Sequence, residues 1–349
     1  MKLATYKDGS RDGQLVVVSR DLSQAHFATA TATRLQQVLD DWNFLSPQLQ
    51  DLYVSLNQGR ARHAFGFDPR QCMAPLPRAY QWVEGSAYQH QVELLAKAAG
   101  HELPAGDHSD PSDPLLAQAG SDDFLGPCDP AWFGAESWGA DFGAGLAVIT
   151  DDVAMGADPD QALDGVRLVM LANSWRLRKL LAADPTAGSG LVHGMTAAAF
   201  SPVAVTPDEL GPAWKDGRVH LTLQSALNGK KVGLCEAGPE MSFPFGQLIS
   251  NLAKTRRLRS GSIVGSGPVS NRDGAKGYSC IAAKRAVETL LHGQPRSDYL
   301  RQGDTIRIEM KGRDGLSVFG AIEQRVSGPM DLSADPNLTD ETGLADDEA

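Results

Sequence analysis

The chain has 349 residues, 42% apolar and 21% charged, with 36 glycines and 20 prolines. That is an ordinary globular composition, rich in turns and in β structure, and long enough for one large domain and a small one. The net charge of −11 comes without a basic patch interleaved with aromatics, which excludes a nucleic-acid partner, and even the most apolar stretch, 166–172, which contains Arg167, is far too short to span a bilayer.

In chain order, Lys2–Tyr6 and residues 14–19 alternate or run apolar around an Asp8-Gly9 turn, which predicts a hairpin. Helical spacing covers 33–42. Ser46-Pro47 supplies a capping hydroxyl and a first-turn proline for a second helix. This small module, residues 1–75, ends at the Pro-rich 75–77. Residues 86–99 read as a helix with Val92, Leu94, Leu95 and Ala98 on its apolar face, and 103–121 as a long loop of the kind that forms lids.

From Trp138 the chain turns β-rich. Strands are expected at 141–150, 166–173, 198–205, 218–226, 230–234, 262–265 and 278–282, with a hairpin over 305–324. Asn228-Gly229 marks a tight turn. Helices are expected at 160–165, 175–182, 245–255 and 285–292. Strands mixed with peripheral helices give an α+β or β-roll domain over 76–326. Residues 327–349 are an acidic tail, with seven acids and no base from Met330 on, and should be disordered.

The cysteines, Cys72, Cys128, Cys235 and Cys280, form no CxxC pair and no zinc spacing. Cys128 and Cys280 are expected to be buried structural thiols, and Cys235 has no activating neighbour in sequence. No signal segment opens the chain, so reduced thiols in a cytoplasm are expected.

Four stretches carry a resemblance: Met73-Ala-Pro-Leu-Pro-Arg-Ala-Tyr80, Ala199-Phe-Ser-Pro-Val-Ala-Val-Thr-Pro-Asp-Glu-Leu-Gly211, Gly261-Ser-Ile-Val-Gly-Ser-Gly267 and Gly277-Tyr-Ser-Cys-Ile281. In order and spacing they resemble the bacterial fumarylacetoacetate hydrolase family over residues 1–326. The resemblance implies a small N-terminal α/β domain, a C-terminal mixed β-roll and a homodimer. It also implies chemistry on β-diketo and 2-oxo acids with a divalent ion held by carboxylates. Such an ion polarises the substrate oxygens, a His activates water, a Glu orients the His, and a Lys holds the oxyanion.

Carried over position by position, that site departs from the family pattern. The first metal-ligating Asp falls on Glu84, and the catalytic His on Gln91, with His90 as its neighbour. The Glu-x-Glu pair falls on Gly143 and Gly145, where loss of two side chains should enlarge the pocket. The fourth ligand falls on Ser174, the Lys on Met195, a Thr on Pro268 and the orienting Glu near Ala283. Arg178 matches the arginine of the family's Asn-Asp-x-x-x-Arg run and suits carboxylate binding.

The expectation is a protein with no metal and no cofactor. It is a repurposed enzyme acting on a small diketo-acid-like, polyketide-like or aromatic molecule by condensation, cyclisation or isomerisation. Tyr88, His90 and Gln91 are its candidate catalytic residues. Arg178, His193, Lys276, Tyr278, Gly143, Gly145 and Ser174 are its candidate ligand contacts. A catalytically inert binding or partner protein, and a residual C–C hydrolase, are the other two readings. The Gly188-Ser189-Gly190 run lacks the full nucleophile-elbow pattern.

Overall fold

A computed structural model describes residues 1–101, 113–183 and 189–328. Among these residues, eleven strands build one sheet and five build a second. The first runs in the order Phe65–Gly66, Gln24–Phe27, Gln14–Val18, Lys2–Tyr6, Ala204–Val205, Val166–Asn173, Ala144–Thr150, Ile263–Pro268, Trp82–Gly85 and Leu116–Ala119, with Ala199–Phe200 also paired to Val166–Asn173. The N-terminal strands are thus continuous with the later ones, joined where Lys2 faces Val205 and Leu3 faces Ala204. The second sheet is built from Lys230–Glu236, Thr222–Leu227, Thr305–Met310, Ile322–Ser327 and Ala131–Trp132.

Strand periodicity divides the core into two layers. Leu15, Val17, Ala147 and Ile149 face the helices Leu35–Asp40 and Trp42–Asn57, whose Leu35, Val38, Leu49, Tyr53 and Leu56 are buried against them. Val16, Val18, Leu146 and Val148 point the other way, into a core shared with Leu223, Ile306, Ile308, Met310 and Ile322 of the second sheet. Because both faces are covered, the central strands read as continuous apolar runs rather than as alternations. The architecture is α+β.

Several local expectations hold, including the Asn228-Gly229 turn. Both of its residues have positive φ, 49° and 72°, between Thr222–Leu227 and Lys230–Glu236. Others are corrected. The second helix starts at Trp42, so Pro47 lies inside it, where it cannot donate to the Asn43 carbonyl. Residues 175–182 are not one helix: Arg176–Leu177 is a strand paired with Ala140–Asp141, and the helix begins at Arg178. The stretch 278–282 is not a strand. The last long helix starts at Ile281, four residues earlier than expected, because Asp141 accepts hydrogen bonds from its first N–H groups.

Of the expected loop 103–121, residues 116–119 form an edge strand on Trp82–Gly85, while 102–112 lie outside the described residues. The Gly188 position and all of the acidic tail from 329 lie outside them too. All four cysteines are free thiols, but Cys128 is half-buried rather than buried. Among the described residues, no helix is long and apolar enough to cross a membrane.

Trp82, Phe124 and Phe200 meet edge-to-face at the centre of the helix-covered layer, with ring centroids 5.3 Å and 5.0 Å apart. Phe200→Ala should lower the unfolding free energy by about 3–5 kcal/mol, read from denaturant titration.

Candidate functional site

Four strands end at one place. Trp82–Gly85 delivers Glu84, Val166–Asn173 leads into Ser174, Ala144–Thr150 follows Gly143, and Ile263–Pro268 brings Ser266 to Pro268. Asn173 pins this junction: its side-chain oxygen accepts from the Gly143 N–H at 3.0 Å, and its amide donates to Gln324 at 3.1 Å. Beside the junction is a cavity of about 410 Å³. Its polar wall includes Glu84, Tyr88, Gln91, Ser174, Arg176 and Arg178. Its apolar wall includes Val92, Leu95, Leu181, Met195 and Pro268. The helix Gln89–Ala98 presents Gln91, Val92, Leu95 and Ala96 to the cavity, positions that share one helical face.

Two ion pairs organise the charge. Asp141, fully buried, accepts from Arg178 Nε at 2.9 Å and from the backbone N–H groups of Ile281 and Ala282 at 2.6 and 3.1 Å. Burial pushes the Asp141 carboxyl up, opposed by these three donors; the same pair holds the Arg178 guanidinium above its ordinary value against burial. Two residues earlier, Arg176 is paired with Glu84, with side chains only 11% and 6% exposed. Burial pulls the Arg176 guanidinium down to about 9, with Arg178 adding to the pull. At that value the group stays charged at neutral pH. Apart from this ion pair, neither Glu84 oxygen accepts a hydrogen bond from a described group.

The residues singled out in the sequence divide in two. Tyr88, Gln91, Ser174 and Arg178 line the cavity. The Tyr88 hydroxyl donates to the Ala237 carbonyl at 2.7 Å, and burial pushes its pKa far above the ordinary phenol value. Gln91 donates to Cys280 Sγ at 3.1 Å, a thiol that burial pushes up to about 11. His90, His193, Lys276 and Tyr278 are not among the lining residues. His90 is held by Ser270 at 3.0 Å, and His193 is exposed. Lys276 pairs with Glu236 at 3.4 Å, and Tyr278 sits under the Lys284 ammonium. Ala283 is buried against Leu94 and Leu95.

Gly143 and Gly145 do not enlarge the pocket. A Cβ on Gly145 would meet the Gly267 carbonyl oxygen at 2.3 Å, and one on Gly143 the Ser174 carbonyl oxygen at 2.8 Å. Neither glycine lines the cavity; both let neighbouring backbone close in, the ordinary use of glycine within a strand. The residue missed in the sequence is Arg176. A helical reading of 175–182 turned it away from Arg178, and the resemblance supplied only Arg178. Its signal was available as a second arginine two positions upstream of the first.

Residues 1–78 match the family described as fumarylacetoacetase N-terminal domain 2, and residues 81–327 the family described as fumarylacetoacetate (FAA) hydrolase C-terminal. A search of curated proteins finds no match. Among solved structures the chain is similar to fumarylacetoacetate hydrolase from psychrophilic Exiguobacterium antarcticum, at 18% identity and a TM-score of 0.64, over 94% of this chain and 99% of that one. It is similar to maleylpyruvate hydrolase from Sphingobium sp. SYK-6, solved with manganese(II) and pyruvate, at 15% identity and 0.62, over 95% and 100%. A third is 2-hydroxyhepta-2,4-diene-1,7-dioate isomerase from Mycobacterium marinum, at 14% identity and 0.56, over 94% and 98%.

Two consequences can be measured. Gly145→Ala should cost about 1–3 kcal/mol, because the strand Ile263–Pro268 must shift to admit the methyl group; thermal unfolding reads it. Arg176→Met alone should cost about 3–5 kcal/mol by stranding Glu84, and Glu84→Leu with Arg176→Met far less, so the double-mutant cycle should show strong coupling.

Proposed function

Because the chain belongs to the fumarylacetoacetate hydrolase family, we propose that its cavity holds a small diketone-like, polyketide-like or aromatic molecule without a divalent cation. The observation that carries this is the Glu84–Arg176 ion pair. A hard divalent ion needs several oxygen donors converging on one point. The junction offers one carboxylate, already facing a guanidinium, and the Ser174 hydroxyl. Gly143 and Gly145 have no side-chain donor and no room for one. Among the described residues, no group of three or more His, Cys, Asp or Glu side chains could hold a metal ion. These residues do not fit the metal that the family implies.

Binding is better supported than turnover by proton transfer. Each titratable side chain on the described wall is committed: Glu84 to Arg176, Arg178 to Asp141, Tyr88 to the Ala237 carbonyl. General acid–base work needs a group near its pKa and within reach of the ligand. A condensation, cyclisation or isomerisation in this cavity would rest on Arg176 donating a hydrogen bond to a ligand oxygen, not on His90 or Tyr88. A homodimer in a reducing cytoplasm belongs to the same proposal.

The test is elemental analysis after equilibrium dialysis against Mg²⁺ or Mn²⁺, together with an acylpyruvate cleavage assay. The expected result is far less than one ion per chain and no cleavage. A stoichiometric ion that supports cleavage sinks the proposal.

A further inference from the structure

The charge on the cavity wall narrows the ligand. Among the described lining residues, the permanent charges are Glu84, Arg176 and Arg178. Glu84 cancels Arg176, and Asp141 behind the wall cancels Arg178. Among the described residues the cavity therefore has two guanidinium groups but no uncommitted positive charge. An anion placed against Arg176 would lie beside the buried Glu84 carboxylate, where water screens repulsion poorly. A cation would meet two arginines.

Glu84 also has acceptor capacity left over. It is 6% exposed, it lines the cavity, and neither oxygen accepts a hydrogen bond from a described group beyond the ion pair. An acceptor buried in this way calls for a donor. Val92, Leu95, Leu181 and Met195 form an apolar wall to the same space, and about 410 Å³ suits a molecule of one ring with substituents.

We propose that this cavity takes an uncharged ligand with an O–H or N–H donor for Glu84, an adjacent carbonyl-type acceptor for Arg176, and an apolar body: a carboxamide, or a phenol or enol next to a carbonyl, rather than a carboxylate. This rests on the reading of the cavity as a small-molecule site and narrows it to one charge state.

Benzamide and benzoate have the same shape and differ in charge. Isothermal titration of the full chain with each should show benzamide binding at least tenfold more tightly. Glu84→Gln leaves Arg176 uncancelled, so benzoate should gain about tenfold and the preference should vanish. Leu95→Trp, which fills the apolar end, should abolish benzamide binding and so tie it to this cavity. The wild-type comparison decides even if Glu84→Gln fails to fold. Tighter wild-type binding of benzoate overturns the neutral-ligand inference and leaves the small-molecule site standing. Unchanged benzamide binding in Leu95→Trp also overturns it. Binding of neither probe overturns the small-molecule reading itself, and the inference with it.

Discussion

The Asp141 carboxylate joins three parts of the chain that are far apart in sequence. It caps the helix Ile281–His292, holds the Arg178 guanidinium, and lies on the short strand that pairs with Arg176–Leu177. A buried carboxylate is costly unless its lone pairs are satisfied, and here three donors satisfy it. Once Arg178 is drawn to Asp141 and Leu177 faces Ala140, Arg176 is left close to Glu84. The second ion pair thus depends on the first, and the electrical balance of the cavity depends on both.

The fold was largely legible in the sequence because its signals were local or carried by long family stretches. The central strands announced themselves as apolar runs, and Asn228-Gly229 could only be a tight turn. What failed to show were effects that act across the chain. Nothing near Ile281 says that a carboxylate 140 residues away in sequence will start a helix there. Nothing near Pro47 says that the helix has already begun at Trp42.

The site was half legible. Reading by position found Glu84, Ser174, Gln91 and Arg178, all of which reach the cavity, because strand ends and one helical face keep their places when side chains change. It misjudged the glycines. Removing a side chain leaves a hole only if the surroundings hold still, and here backbone from the strand Ile263–Pro268 lies against Gly145. It also passed over Arg176, whose role comes from a partner on another strand rather than from its neighbours in sequence.

The strand pairing of Lys2–Tyr6 with Ala204–Val205 bears on how the molecule can come apart. Two family segments meet near residue 80 in the sequence, yet the hydrogen-bonded ladder passes straight through that division. Severing the chain there would give two fragments, each with a bare β edge and an uncovered apolar face, surfaces that recruit other chains. The division is one of ancestry and not of mechanics: the two segments share a single load-carrying sheet, and loosening either one frees backbone in both.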